Sequence, residues 1–332
     1  MGFEISENSK ISNKPVKNQG EPLFNSQNKT QMSVFEKKHP VVAEIDDFAN
    51  KDIYIDPYDW TCDMTHGEAV ASFIKAQCPA ANIQRMGNLK PEDNLDFSIT
   101  KSLKELSDSI DKGEKIDAVN MSIGIAIAIK KLAKATGLPL NRKNLHQYQN
   151  EIRNWIKNND NKSIEKKLGL DKETNLKEIL ENIEKITSKG IPVYIAAGNG
   201  RFDAVGAACI NLFSLANGVT TVGALEKDGK TKTNYSGDHS LVNKWEIGDN
   251  SIKRTKKDGK WGYDINGDNN PEILEENTSS NKFLSLKTPV NIVKSIFLTS
   301  PIDDNKTHGT SFSTPTALGK DLRTRFGDAC RE

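Results

Sequence analysis

Apolar and polar positions alternate along this 332-residue chain in a pattern that predicts short strands separated by helices. The apolar runs with the length of buried strands lie at 40–46, 81–86, 116–122, 191–199 and 218–224. Apolar residues at helical spacing fill 66–76 and 99–110 and recur through the region 125–189. This alternation predicts an α/β fold, in which a doubly wound, mostly parallel sheet carries helices on both faces.

Three stretches depart from the alternation. Residues 1–38 are rich in Asn, Ser, Lys and Gln without periodicity, which predicts a flexible N-terminal tail or a short leader. The remaining residues, 39–332, are predicted to form one domain with two insertions. The insertion at about 126–175 is helical, and the insertion at about 238–287 is polar and irregular.

The helical region carries two apolar stripes, which predict packing against a core rather than a partner site. The residues of these stripes are Tyr148, Ile152, Trp155 and Ile156 in the first, and Leu176, Ile179, Leu180 and Ile183 in the second.

Composition narrows the function classes. With 46 basic and 45 acidic side chains the formal net charge is +1, so no nucleic-acid partner is expected. No apolar run is long enough to cross a bilayer, so no membrane partner is expected either. The N-terminus lacks the basic and apolar regions of a signal peptide, which favours a cytoplasmic protein unless secretory segments are missing from this sequence.

Four cysteines, Cys62, Cys78, Cys209 and Cys330, show no metal-type spacing and are too sparse for a disulfide framework. Free thiols in a reducing compartment are therefore expected, although a Cys62–Cys78 bridge is left open.

A candidate nucleophile lies near the end of the chain, where Gly309, Thr310 and Ser311 precede a helix-compatible run. In the first turn of a helix, Ser311 would have an exposed hydroxyl beside unpaired N–H groups that could stabilise an oxyanion. The alternative is a Ser/Thr cluster that caps an ordinary surface helix.

Three further residues could complete a catalytic group, because a serine nucleophile needs a base, a carboxylate and an oxyanion donor. His66 opens a predicted helix beside a glycine, Asp46 ends the first predicted strand, and Asn199 follows a later strand. Taken singly, His66 could be an ordinary helix-start residue, Asp46 a cap and Asn199 a turn residue.

Together these stretches resemble the motifs of the subtilisin-like serine proteases, the subtilases of peptidase family S8. The stretches are Val-Ala-Glu-Ile-Asp46, His66-Gly-Glu-Ala-Val-Ala, Val119-Asn-Met-Ser-Ile-Gly124, Ala196-Ala-Gly-Asn199 and Gly309-Thr-Ser311-Phe-Ser-Thr-Pro315. Their order, Asp then His then Asn then Ser, is that of subtilisin. The resemblance covers about residues 39–325 apart from the two insertions.

The resemblance implies a role for each motif. Ser311 would attack the scissile carbonyl, His66 would take its proton, Asp46 would orient His66, and the Asn199 amide with the Ser311 N–H would hold the oxyanion. The implied substrate-binding residues are Ser122, Ile123, Gly124, Ala197 and Gly198. The substrate would be a protein or peptide, and catalysis would need no cofactor.

The sequence also departs from the family pattern. Asp47 follows Asp46 directly, so Asp47 is an alternative orienting residue, although the motif register favours Asp46. Glu68 replaces a common threonine and adds negative charge near His66. The chain ends about twenty residues after Ser311, earlier than is usual in the family.

A separate loop has oxygen-bearing side chains at alternate positions, which are typical of the start of a calcium loop: Asp264, Asn266, Asp268, Asn270 and Glu272. The alternative is a polar turn between two strands. A calcium ion there would be structural, because nothing in the sequence connects the loop with Asp46, His66 or Ser311.

The sequence therefore predicts a serine endopeptidase with broad preference for the residue before the scissile bond. Two alternatives stay open. A catalytically inactive binding protein with the subtilase fold would suit the insertions and the short C-terminal end, but it has no need of all four site residues. A peptide ligase or cyclase would share the acyl-enzyme and differ only in the second half-reaction.

Overall fold

A computed structural model describes residues 38–48, 51–53, 64–86, 95–170, 174–200, 209–251, 253–274 and 306–331. Within these ranges no helix is both long and apolar enough to span a membrane. Apart from residue 38, the predicted tail or leader at 1–38 lies outside the described residues, and so do residues 275–287 of the predicted polar insertion.

The described residues form the following strands: β1 Val41–Ile45, β2 Lys51–Ile53, β3 Met64–Thr65, β4 Asn82–Met86, β5 Ala118–Met121, β6 Ala126–Ala128, β7 Val193–Ala196, β8 Cys209–Asn211, β9 Val219–Leu225, β10 Lys244–Ile247, β11 Asp249–Ser251, β12 Lys253–Lys257, β13 Lys260–Asp264, β14 Ile273–Leu274 and β15 Lys306–His308. The α-helices are α1 His66–Gln77, α2 Leu95–Asp111, α3 Ile129–Thr136, α4 Gln149–Asn158, α5 Asn161–Leu168, α6 Leu176–Ser188 and α7 Thr310–Phe326.

A six-stranded sheet forms the centre of the domain, with strand order β10-β9-β7-β5-β1-β4. All five strand pairs in it are parallel. The central strands β5 and β7 are buried along their whole length, as expected when both faces of a parallel sheet are covered.

Successive residues of β1 point to opposite faces of the sheet, and each face has its own helices. Ala43 packs in a large cluster with α2 and α6, which share one face. Val42 packs in a second cluster with α1 and α7 on the other face. The predicted doubly wound α/β architecture is therefore confirmed, and the helices of His66 and Ser311 lie on the same side.

The helical region packs as its apolar stripes predict. Ile152 and Ile156 of α4 and Ile179 and Ile183 of α6 are buried in the larger cluster. The interpretation of the region as helical from its start is wrong for Ala126–Ala128, because these residues form β6 and pair with β8.

The predicted polar insertion at 238–287 is less irregular than the sequence suggests. Lys244–Ile247 forms β10, the edge strand of the central sheet, so the fold itself includes part of this stretch. Strands β12, β13 and β14 form a separate antiparallel sheet. An edge strand is less buried than a central one, so its residues can be polar. The strand then lacks the apolar run by which strands are predicted from sequence.

A disulfide joins Cys78 and Cys330, which are 252 residues apart in sequence. Cys78 caps the end of α1, and Cys330 lies in the 3₁₀ turn that follows α7. The expectation of free thiols is therefore wrong for these two cysteines, and the alternative Cys62–Cys78 bridge is wrong as well. The cysteine-based argument for a reducing compartment no longer applies.

Because this disulfide closes a very long loop, replacing both Cys78 and Cys330 with serine is expected to lower the free energy of unfolding by about 2–4 kcal/mol. In urea denaturation, the double variant should unfold at a lower midpoint concentration than the parent, with a similar m-value. The matched control is Cys209→Ser, since Cys209 is not part of a disulfide. Equal midpoints for the parent and the double variant would contradict the prediction.

Candidate active site

Asp46 and His66 meet where β1 ends and α1 begins. The Nδ1 atom of His66 lies 2.6 Å from Oδ1 of Asp46, and Asp46 is only 2% exposed. A carboxylate can only accept, so Nδ1–H donates and the other ring nitrogen, Nε2, is left as the acceptor. The same Oδ1 accepts the Asp47 N–H at 2.7 Å. The structure thus places Asp46, the residue favoured by the motif register, against His66.

The position of His66 is fixed by the start of α1. Thr65 caps the helix, because its Oγ1 accepts the Glu68 N–H at 3.2 Å while the Glu68 carboxylate accepts the Thr65 N–H at 2.8 Å. This reciprocal capping box gives Glu68, which replaces the threonine common in the family, a structural role at the start of α1. Gly67 is required there, since a Cβ would lie 2.6 Å from the Phe48 ring.

Ser311 lies in the first turn of α7, as predicted, but its hydroxyl is not exposed. The first ten residues of α7 are all buried, and Ser311 is 1% exposed. Among the described residues, Ser311 Oγ has no hydrogen-bond partner. Near His66, the next residue makes the contact between the two helices, because the Phe312 ring lies 5.7 Å from the His66 ring. Hydrogen bonds between nucleophile and base often form fully only with substrate bound.

Asn199 is oriented by Thr310, the residue before Ser311. Its Oδ1 accepts the Thr310 N–H at 2.9 Å and the Thr310 hydroxyl at 3.0 Å, and that hydroxyl accepts the Gly198 N–H at 3.1 Å. These contacts use Oδ1 and leave Nδ2, a donor, for another partner. Sequence reasoning missed this role of Thr310, because a threonine beside a serine nucleophile reads equally well as a helix cap.

The Asn199 Nδ2 and the Ser311 hydroxyl lie on either side of Gly309. A Cβ placed on Gly309 would lie 3.0 Å from Ser311 Oγ and 3.3 Å from Asn199 Nδ2. The missing side chain of Gly309 thus leaves a space bordered by both atoms, where an amide donor could reach an oxyanion formed on the serine.

The predicted substrate-binding residues form two segments beside this group. Ser122, Ile123 and Gly124 follow β5, and Ala197 and Gly198 follow β7, its neighbour in the sheet. Functional residues collect at the carboxyl ends of parallel strands, and all the predicted site residues but those of the metal loop lie at this edge or at the helix starts beside it.

The family model of the subtilases matches residues 33–320. The chain belongs to the subtilase family. Membership of this peptidase family makes the chain a protein of the serine-protease type with a peptide or protein substrate. No curated protein sequence matches it significantly.

Solved structures that resemble this subtilase include other proteases. The self-cleaved protease domain of PatA is 14% identical with TM-score 0.45, covering 87% of this chain and 82% of that chain. The prenylagaramide maturation protease PagA is 14% identical with TM-score 0.43, covering 87% and 78%. A lanthipeptide protease is 15% identical with TM-score 0.43, covering 87% and 76%. The family assignment rests on the sequence match.

This subtilase has a second buried carboxyl beside Asp46 that the sequence did not single out. Glu44 lies two residues earlier on the same face of β1 and accepts a hydrogen bond at 2.9 Å from Nδ2 of Asn120, which also donates to Ser122 Oγ at 2.9 Å. Burial, with the charge of Asp46, raises the pKa of Glu44 well above its usual range. Burial thus favours the neutral form of the Glu44 carboxyl.

The predicted calcium loop connects β13 and β14, between the two strands that the sequence placed around it. Asp264, Asp268 and Glu272 each offer a carboxylate oxygen, and these oxygens lie within 4.8 Å of one another. Asn266 turns its Oδ1 to the Asp268 N–H, and Asn270 is exposed. The structure therefore brings together the three acids of the predicted set.

The strand that leads into this loop packs on the two helices of the candidate site, a contact that the sequence did not reveal. Tyr263, next to Asp264, is buried in a cluster with Ala69 and Phe73 of α1 and Phe312 of α7. The β12–β14 sheet thus packs on both helices that carry site residues. Only the folded chain reveals this contact, since Tyr263 lies almost two hundred residues from α1.

Proposed function

We propose that this subtilase is a serine endopeptidase in which Ser311 is the nucleophile, His66 the general base and Asp46 the residue that orients His66. The observation that carries the proposal is the 2.6 Å contact between His66 and Asp46, placed beside the helix that begins at Thr310. That contact fixes the ring tautomer that a base needs.

In the proposed reaction, the Ser311 hydroxyl oxygen attacks the scissile carbonyl while Nε2 of His66 takes its proton. The Asn199 amide and the Ser311 N–H donate to the oxygen of the tetrahedral intermediate. The C–N bond breaks as His66 returns the proton to the leaving amine, which gives an acyl-enzyme. Water then attacks the acyl-enzyme while His66 takes a proton from it. The ester bond to Ser311 breaks, His66 returns the proton to the serine oxygen, and the carboxylic acid is released. The substrate backbone would pair with Ser122–Gly124 as an added strand.

The test is labelling of the intact protein by a fluorophosphonate probe, followed by mass spectrometry of the digest. The expected adduct lies on Ser311, and labelling should disappear in His66→Ala because the serine is no longer activated. His146→Ala, a change of the histidine in the 3₁₀ turn before α4, is the matched control and should label like the parent.

A well-folded parent that takes up no probe would refute the active-enzyme proposal and favour a non-catalytic binding protein. Labelling shows the acyl-enzyme half of the reaction only. Product analysis with a peptide substrate, with and without an added amine, then separates hydrolysis from acyl transfer.

We further propose that Asp264, Asp268 and Glu272 bind a structural calcium ion that stabilises the sheet carrying Tyr263. Hard oxygen ligands suit calcium, and the three acids already converge. Burial first, and then Asp264 and Asp268, raise the pKa of Glu272 to about 7. Without a cation, ionising Glu272 therefore destabilises the folded state as the pH rises from about 4.3, its usual pKa, towards 7.

Millimolar calcium is therefore expected to raise the melting temperature at pH 8 and to have little effect at pH 5, where Glu272 holds its proton. At a hundredfold excess over Kd the gain is about 2.7 kcal/mol. Asp268→Asn should abolish the shift measured by thermal melting. Asp258→Asn, in the β12–β13 turn of the same sheet, is the matched control. An equal shift in Asp268→Asn would contradict the calcium site.

A further inference from the structure

One buried residue, Tyr235, is attached to both of the chain segments that carry the proposed oxyanion donors. It lies in the connection between β9 and β10 and is 7% exposed. Its carbonyl accepts the Gly200 N–H at 2.6 Å, and the next residue, Ser236, forms a β-bridge with Asn199. The backbone at Tyr235 is therefore paired with the segment that holds the Asn199 amide.

The side chain of Tyr235 reaches the other segment, which leads into Ser311. Its hydroxyl donates to Oδ1 of Asp249 at 2.5 Å, and Nδ1 of His308 lies 3.0 Å from the same oxygen. Asp249 and His308 are also paired across the two strands β11 and β15. The rings of Tyr235 and His308 meet edge-on, with 6.5 Å between their centroids. Since Gly309 follows His308 directly, these contacts hold the chain immediately before the nucleophile.

Close packing at Gly248 connects the Tyr235 hydroxyl with Gly309. A Cβ placed on Gly248 would lie 2.9 Å from the Tyr235 Oη and 3.0 Å from the Gly309 carbonyl oxygen. The Gly248 carbonyl also accepts the Gly309 N–H at 3.3 Å. Gly309 in turn borders both Ser311 Oγ and Asn199 Nδ2. A shift of Gly309 would therefore alter the space in which the oxyanion forms.

The Tyr235 hydroxyl keeps its proton and so remains a donor. An unperturbed phenol has a pKa of about 10. Burial first, and then the neighbouring Asp249 carboxyl group, raise the pKa of Tyr235 above this value. The hydrogen bond to Asp249 is therefore a fixed part of the structure and does not depend on pH near neutrality.

We propose that Tyr235 is a positioning residue, which holds the Asn199 segment and the chain leading into Ser311 in one arrangement so that both oxyanion donors point at the same place. The inference rests on the proposed function. Tyr235 acts through Asp249 and Gly309 and is assigned no contact with the substrate. Because the charge on the oxyanion develops only after the attack, misplaced donors should slow the chemical step and leave substrate binding almost unchanged.

The test replaces Tyr235 with phenylalanine, which removes only the hydroxyl, and measures kcat and KM with a peptide substrate. The kcat is expected to fall by about 10- to 100-fold, because a displacement of about 1 Å at a reacting group can cost about 10² in rate. The KM should stay within about twofold, since an interaction made only in the transition state changes kcat and kcat/KM equally.

Tyr194→Phe is the matched control. Tyr194 of β7 is also buried, and its hydroxyl also interacts with a carboxyl group, that of Asp321 in the second half of α7. This variant should lose melting temperature as Tyr235→Phe does and keep the kcat of the parent. If both variants lose stability and neither loses kcat, the role of Tyr235 is structural only and the inference is overturned.

A second variant, His308→Ala, tests whether the effect passes through Asp249. It should also lower kcat at nearly constant KM. Combining it with Tyr235→Phe should cost no more than about the larger of the two single losses, because residues of one network are not additive. If the two losses multiply, the residues act separately, and the proposed action through Asp249 is overturned.

Probe labelling and thermal melting of the parent come first. A parent that is labelled, with a Tyr235→Phe variant that keeps the parent kcat, would overturn this inference and leave the proposed function intact. A folded parent that takes up no probe would overturn the proposed function, and this inference with it.

Discussion

Replacing Ser311 with alanine is expected to lower kcat by about 10⁶-fold, the loss that removing the serine nucleophile causes in subtilisin. The physical reason is that no acyl-enzyme can form without the hydroxyl. The donors of Asn199 and of the α7 N-terminus would remain, so a small rate above that of water should persist. Hydrolysis of a quenched-fluorescence peptide, followed over hours with purified protein, measures the difference.

The control for Ser311→Ala is Ser313→Ala, which removes another buried hydroxyl from the same helix. Ser313 Oγ donates to the Thr310 carbonyl at 3.0 Å, a bond within the helix, so its loss should cost about 1 kcal/mol of stability and little activity. A Ser311→Ala protein that retains the parent rate would show that another group is the nucleophile.

Replacing Asp46 with asparagine is expected to lower kcat by about 10⁴-fold while the protein stays folded. The asparagine amide can donate to Nδ1 of His66, which moves the ring proton to Nε2 and prevents that atom from accepting the serine proton. The amide is close in size to the carboxylate, so packing around β1 should change little. Steady-state kinetics together with a thermal melt separates lost activity from lost structure.

Asp47→Asn is the matched control for Asp46→Asn, since the sequence left Asp47 open as the orienting residue. The structure gives the His66 contact to Asp46, so Asp47→Asn should keep activity within a few fold of the parent. A larger loss in Asp47→Asn than in Asp46→Asn would reverse the two roles.

Sequence reasoning could predict the candidate site because its residues stand in short motifs, and the fold brings these motifs together. Asp46, His66, Asn199 and Ser311 each end a strand or begin a helix, and the parallel sheet brings such ends to one edge. Local patterns also predicted most central strands, since these are buried on both faces and read as apolar runs.

The features that the sequence did not reveal depend on contacts between distant residues. Nothing in a pattern pairs Cys78 with Cys330, or shows that the Asn211 side chain occupies the position that a Cβ on Gly124 would take. Strand β10 was not predicted for a different reason. It lies at the edge of the sheet, where residues need not be apolar, and the prediction of strands depends on apolar runs. Glu68 is an exception, because Thr65-His-Gly-Glu68 carries the capping-box signature and could have been recognised from sequence.

The Cys78–Cys330 disulfide also determines what happens if the backbone is cut. Any nick between these two cysteines, by another protease or by the protein itself, leaves two fragments that are still covalently joined. When the nick lies before Ser311, the fragment with Ser311 cannot diffuse away from the fragment with His66. A nicked molecule would therefore run as one band without reductant and as two with it, and it could persist as a working two-chain protease where an unlinked one would fall apart.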